Sequence, residues 1–152
     1  MNINGIAHII LSVNNVQKSK LFYEPLLTYM GMKKVKDEKQ FLYFVGGRTA
    51  IGLEQRNILT NEDYQITENQ QNVGLHHFCL RAKSREDVDK AYQKVKTLPN
   101  ANIVQSPIEK QWAPGYYYTL FEDPDGIRIE VNFVPGKGLL ETKKKVEFNA
   151  KL

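Results

Sequence analysis

Two histidines and two glutamates recur in step along this chain. His8 stands near the start of the segment NGIAHIILSV, and His77 near the start of VGLHHFCLRA. Each is followed, well downstream, by a glutamate: Glu54 in RTAIGLEQ and Glu130 in GIRIEVN. Two imidazoles and two carboxylates form a donor set for one divalent transition metal (Zn, Ni, Co, Fe or Mn) in preference to Mg or Ca. Open coordination positions would admit water or a substrate oxygen. Neither half of the chain supplies the set alone.

Strand geometry decides which side chains share a face. On the last segment, Arg128, Glu130 and Asn132 alternate with Ile127, Ile129, Val131 and Phe133. Glu54 shares its face with Gly52 and Ala50, while Ile51 and Leu53 point the other way. A small or polar face opposite a branched apolar one marks a binding concavity. A glutamate there is costly to bury unless a positive group meets it, and a metal would do so. The plainer alternative is that each residue is a separate buried hydrogen-bonding group.

Other side chains near these positions have two readings each. Trp112 and Tyr116, in QWAPGYYY, form either the wall of a substrate pocket or ordinary edge packing. Arg128 either fixes a substrate carboxylate or makes a plain salt bridge. His76 is predicted to face away from His77 and to be structural. Cys79 shares the face of His77 and reads as a small buried hydrophobe, with no basic neighbour or helix N-terminus to activate it. The chain has no Walker loop, G-x-G-x-x-G or G-x-S-x-G, so nucleotide binding and serine hydrolysis have no support.

The elements that must carry these residues repeat. Ile6–Val13 alternates with period two and predicts a strand. Asn14 or Asn15 caps a helix whose apolar stripe is Val16, Leu21, Phe22, Leu26 and Met30, with Pro25 as a disturbance and Gly31 as a stop. Strands follow at Lys33–Val35, Gln40–Val45 and Thr49–Gln55, with Gly46-Gly47 as a turn. After the polar stretch Arg56–Asn72 the pattern restarts: a strand over Gly74–Ala82, a helix begun by Ser84 and ended by Pro99, then strands at Asn102–Gln105, Tyr116–Glu122 and Ile127–Val134. Asp123-Pro124-Asp125-Gly126 makes the last turn. Sliding the chain by 69 positions (77 − 8) lays His8 on His77 and Gly5 on Gly74. The fold expected is α+β: two tandem βαβββ modules forming a half-open mixed β-barrel with helices outside. One domain spans 1–135, with module one at 5–55, a linker at 56–72 and module two at 73–134. A basic tail occupies 136–152.

Composition agrees with a single globular domain. Of 152 residues, 41% are apolar and 25% charged, and no apolar run is long enough to span a bilayer. No secretory signal is evident, and one cysteine excludes an intramolecular disulfide; both fit a cytoplasmic protein. The net charge is +4, of which five lysines and two glutamates after Pro135 supply +3. A solvated terminus is the preferred reading of that tail. Neither a nucleic acid nor a membrane is an expected partner. A small-molecule substrate is, with a homodimer preferred over pairing within one chain.

Several stretches carry a resemblance. HIILSV from His8, Phe22-Tyr23, and Met30-Gly31-Met32 resemble the first glyoxalase signature, and EDPDGIRIE from Glu122 to Glu130 resembles its closing motif. With GLHHFCL and AIGLE they resemble the vicinal oxygen chelate superfamily, over residues 5 to 134. That superfamily holds glyoxalase I, fosfomycin resistance proteins, extradiol dioxygenases, methylmalonyl-CoA epimerase and bleomycin-binding proteins. The resemblance implies His8, Glu54, His77 and Glu130 as metal ligands, with Glu54 or Glu130 as the base. Glyoxalase I has an arginine where this chain has Ser12, and an asparagine where it has Ile58; both hold glutathione. Glu24-Pro25-Leu26-Leu27-Thr28-Tyr29 also departs from the signature. Ser12 is therefore a candidate contact to a different substrate. The implied activity is that of a metal-dependent lyase or isomerase acting on a substrate with two adjacent oxygens, and not a standard glutathione-dependent glyoxalase I. The alternatives are a non-catalytic binding protein of the bleomycin-resistance type and an iron-dependent ring-cleaving dioxygenase.

Overall fold

The computed structural model describes residues 5–56 and 74–136. In chain order they form β1 (Ile9–Val13), α1 (Val16–Tyr29), β2 (Lys33–Asp37), β3 (Phe41–Gly46) and β4 (Thr49–Gln55). The second series is β5 (Phe78–Arg81), α2 (Arg85–Val95), β6 (Asn102–Lys110), β7 (Tyr116–Glu122) and β8 (Arg128–Phe133). These are two βαβββ modules of an α+β fold. Each builds a four-stranded mixed sheet, ordered β1-β4-β3-β2 and β5-β8-β7-β6. In each, the first strand runs parallel to the last and the other pairs are antiparallel. The expected linker beyond Arg56, including Ile58, and the expected tail beyond Gly136 lie outside the described residues.

Local sequence accounts for most boundaries. Asn15 caps α1, its side chain accepting from the Lys18 amide at 2.9 Å, and Ser84 caps α2 through the Asp87 amide at 3.2 Å. Pro25 does not end α1, which runs on to Tyr29. Proline denies a bond to the carbonyl of Leu21, a residue on the exposed side, while Phe22, Tyr23, Leu26 and Leu27 keep the buried face intact. The β3–β4 turn sits at Gly47-Arg48, where both residues have positive φ (60° and 64°), one position later than expected. β1 and β5 begin at Ile9 and Phe78, so the two key histidines precede their strands.

One core joins the modules. Phe22, Tyr23, Leu26 and Phe44 from the first meet Val88, Ala91, Phe121 and Ile129 from the second. The closing turn locks this junction. Asp123 is 2% exposed and fully engaged: its Oδ1 accepts from the amides of Asp125 (2.9 Å) and Ile127 (2.8 Å), and its Oδ2 from the Tyr23 hydroxyl at 2.7 Å. Asp125 in turn accepts from the backbone and side-chain nitrogens of Asn14, each at 2.9 Å. Phe22-Tyr23 and Asp-Pro-Asp-Gly are thus two sides of one contact. Among the described residues, no strand of one sheet is hydrogen-bonded to a strand of the other. Nor does any described residue pack on the sheet faces opposite the helices, where Ile10, Val45 and Ile108 are exposed. Among the described residues, no helix is long and apolar enough to cross a membrane.

Candidate functional site

Glu130 anchors the best-defined polar cluster. It lies on β8, between β5 and β7, and is 4% exposed. A carboxylate so placed needs partners. Its Oε1 accepts from the Tyr116 hydroxyl and from Cys79 Sγ at 3.4 Å, and its Oε2 lies 3.4 Å from His77 Nε2. The last contact is an ion pair when the imidazole carries a proton. Burial, and then its hydrogen bond to Glu130, pushes the Tyr116 phenol above its ordinary pKa. Burial, and then the Glu130 charge, does the same to Cys79, whose sulfur is sheltered although the residue counts as exposed. Both groups therefore keep their protons at neutral pH and act as donors to the carboxylate.

Three neighbours complete this half. His76 Nδ1 is 2.7 Å from His77 Nδ1, so the two rings are partners and His76 does not face away. Alternation fails here because the strand starts only at Phe78. Trp112 is exposed, yet its ring packs on Tyr116 (5.4 Å between centroids) and Tyr118 (5.1 Å), giving an aromatic rim beside Glu130. Arg128 takes the plainer of its two readings, with Nε 3.0 Å from Glu122 Oε1.

The first module is different. His8, Ser12 and Glu54 are all exposed. In module two, Cys79 is opposite Glu130 and Arg81 is opposite Asn132. In module one, Ile10 is opposite Gly52 and Ser12 is opposite Glu54. Ile10 and Cys79 each lie two residues after their histidine. Gly52 therefore holds the place of Glu130, and Glu54 the place of Asn132. Glu54 lies one side-chain repeat further along its strand, about 7 Å. The Glu130-like place is also occupied: a Cβ on Gly52 would stand 2.5 Å from Ile10 Cδ1 and 3.1 Å from Tyr43 Cδ2. Among the described residues, no three His, Cys, Asp or Glu side chains form a metal-holding group. The structure brings His77 and Glu130 together and joins neither His8 nor Glu54 to them. A cleft of about 610 Å³ lies elsewhere, between Met30, Met32 and Thr49 of one module and Leu80, Arg81 and Lys90 of the other.

Comparison with known proteins decides the lineage. Residues 5–131 match the Glyoxalase/Bleomycin resistance protein/Dioxygenase superfamily. The chain belongs to that superfamily. Its fold recurs in a candidate glyoxalase from Bacillus halodurans, at 23% identity and a TM-score of 0.68, with 86% of this chain and 96% of that one covered. A lactoylglutathione lyase from Agrobacterium tumefaciens shares it at 22% identity and TM-score 0.61, covering 88% and 96%. So does a glyoxalase/bleomycin resistance protein from Albidiferax ferrireducens T118, at 20% identity and TM-score 0.65, covering 86% and 98%. Within this glyoxalase-superfamily frame, sequence reasoning missed His76, the two donors to Glu130 and the displacement of Glu54. Only cross-strand register carries that last signal, because Gly52 and Glu54 share one face.

Proposed function

We propose that this superfamily member is a metal-dependent lyase or isomerase for a small substrate with two adjacent oxygens, built as a homodimer. The observation that carries the reading is the His77–Glu130 pair, held from behind by Tyr116 and Cys79. An imidazole and a carboxylate suit a borderline divalent metal, and His8 offers a third donor of the right kind. Glu54 is out of register for this role and is set aside as ligand and base. The bound metal would supply polarisation of a substrate carbonyl. Glu130 is the candidate base: Oε1 is fixed by two donors, and Oε2, beside His77, is the oxygen left to meet a metal or a proton. Trp112 and Tyr118 pack around Tyr116 as an aromatic rim of the pocket, and Ser12, on the opposing face, would be a substrate contact.

A second copy is needed because His8 is not joined to His77 and Glu130 within one chain. The sheet faces away from the helices carry exposed Val45 and Ile108, apolar surface suited to a partner. The face of module one on one protomer would then complete module two of its partner. Two variants test this, His8→Ala and His77→Ala. Each alone is expected to lose stoichiometric zinc. Mixed and refolded together, they are expected to regain it, at up to half the sites of the mixed dimer. Zinc retained by both single variants, or no recovery on mixing, would overturn the shared-site reading. Iron with oxygen uptake would favour the dioxygenase alternative.

A further inference from the structure

The first module departs from the second where substrate identity would be decided. At the place of Glu130 it has Gly52, and at the place of Cys79 it has Ile10. Next to them on β3, Phe41 and Tyr43 lie on the side away from the core, while Leu42 and Phe44 are fully buried beneath. The two rings are stacked, with centroids 5.9 Å apart and planes 20° from parallel. A Cβ on Gly52 would meet Ile10 Cδ1 at 2.5 Å, Tyr43 Cδ2 at 3.1 Å and Phe41 Cε2 at 3.5 Å. Those three side chains therefore cover the bare backbone of Gly52. Lys36 borders them, its ammonium 5.7 Å from the Phe41 centroid.

We infer that Ile10, Phe41, Tyr43 and Gly52 form a specificity wall for a substrate whose body is a flat apolar ring beside its two oxygens. The inference rests on the shared-site reading, in which this face closes over His77 and Glu130. Three observations favour a ring over a peptide-like or sugar-like body. Ile10 is 40% exposed, so covering it removes apolar surface from water. The Phe41 and Tyr43 pair offers edges and faces on which a third ring can pack. Gly52, lacking a Cβ, lets Ile10, Tyr43 and Phe41 pack down against β4 instead of standing out into the site. A ligand rich in hydroxyls or charges would lose its hydration against Ile10 and the two rings, the polar groups Glu54 and Lys36 lying only at their border.

The test compares two 2-oxo acids that share the same pair of adjacent oxygens. Phenylglyoxylate carries a ring and pyruvate a methyl group. Binding to the zinc-loaded full chain is measured by calorimetry, with zinc content measured separately. Phenylglyoxylate is expected to bind at least about tenfold tighter. Phe41→Leu/Tyr43→Leu is expected to bring the ratio below about threefold, with pyruvate affinity and zinc content unchanged. Gly52→Val is expected to do the same by pushing Ile10 and Tyr43 out of their packed positions. Equal affinity for the two acids, or a ratio that survives both variants, would overturn the wall. Zinc bound without ring preference sinks the wall and spares the metal reading. Ring preference without zinc does the reverse.

Discussion

The two modules share a strand order and a parallel first–last pairing, and then diverge at one cross-strand position. Module two pairs Cys79 with Glu130 and surrounds the carboxylate with a histidine, a phenol and a thiol. Module one pairs Ile10 with Gly52 and covers the gap with hydrocarbon. One frame thus yields a polar, chemistry-bearing face and an apolar, shape-bearing face. The helix-side packing is common to both, since Leu42 and Phe44 in one and Phe121 in the other are all fully buried. The sheet position is conserved in geometry while its side chain sets the task.

The sharpest way to break this contrast is to delete the two glutamates in turn. Glu130→Ala is expected to weaken zinc binding by more than about 100-fold, because a ligand and its supports are lost together. Glu54→Ala is expected to change it by less than about threefold. Equilibrium dialysis against a zinc buffer reads both. A large loss from Glu54→Ala would mean that the register difference does not matter to the site.

Most of the frame was legible in the chain. Period-two alternation placed β4, β7 and β8 to within a residue, and the 69-residue shift revealed the duplication before any element was located. Asn15, Ser84 and the Asp-Pro-Asp-Gly turn signalled their roles through short-range chemistry. The site was only half legible. Glu130 lies on the strand face that alternation gave it and His77 meets it from just before β5, but alternation cannot separate Gly52 from Glu54, which share a face and differ only in which β1 residue lies opposite. His76 was misread for a related reason: alternation was applied to residues that precede the strand.

The contact between modules offers a second, smaller lever. Tyr23→Phe leaves one oxygen of the buried Asp123 without its donor and is expected to cost about 1–3 kcal/mol. Urea unfolding measures it, and the loss should appear as one shifted transition, because the core is continuous across the junction. Two separate transitions would show that the modules are stable independently.

The smallest expected effect lies at the rim of module two. Asn102, donating at 2.7 Å, and then Arg128 hold the Glu122 carboxyl below the usual glutamate range. A depressed folded pKa stabilises the fold above the unfolded value and loses that contribution as pH falls through the folded one. Asn102→Ala should therefore lower stability at pH 7 by under about 1 kcal/mol and have no effect at pH 2. Thermal melts across that range check the sign.

The bond between Tyr23 and Asp123 spans 100 positions of chain. On a ribosome, Tyr23 emerges long before the turn that will engage it. The early half must therefore wait, its aromatic side chain unmatched, until nearly all of the second module has been made. Such a late-closing contact raises the average sequence separation of native contacts and slows folding. It also makes the product hard to split: a break in the chain between Arg56 and Gly74 would leave Asp123 to find its hydroxyl by collision between fragments.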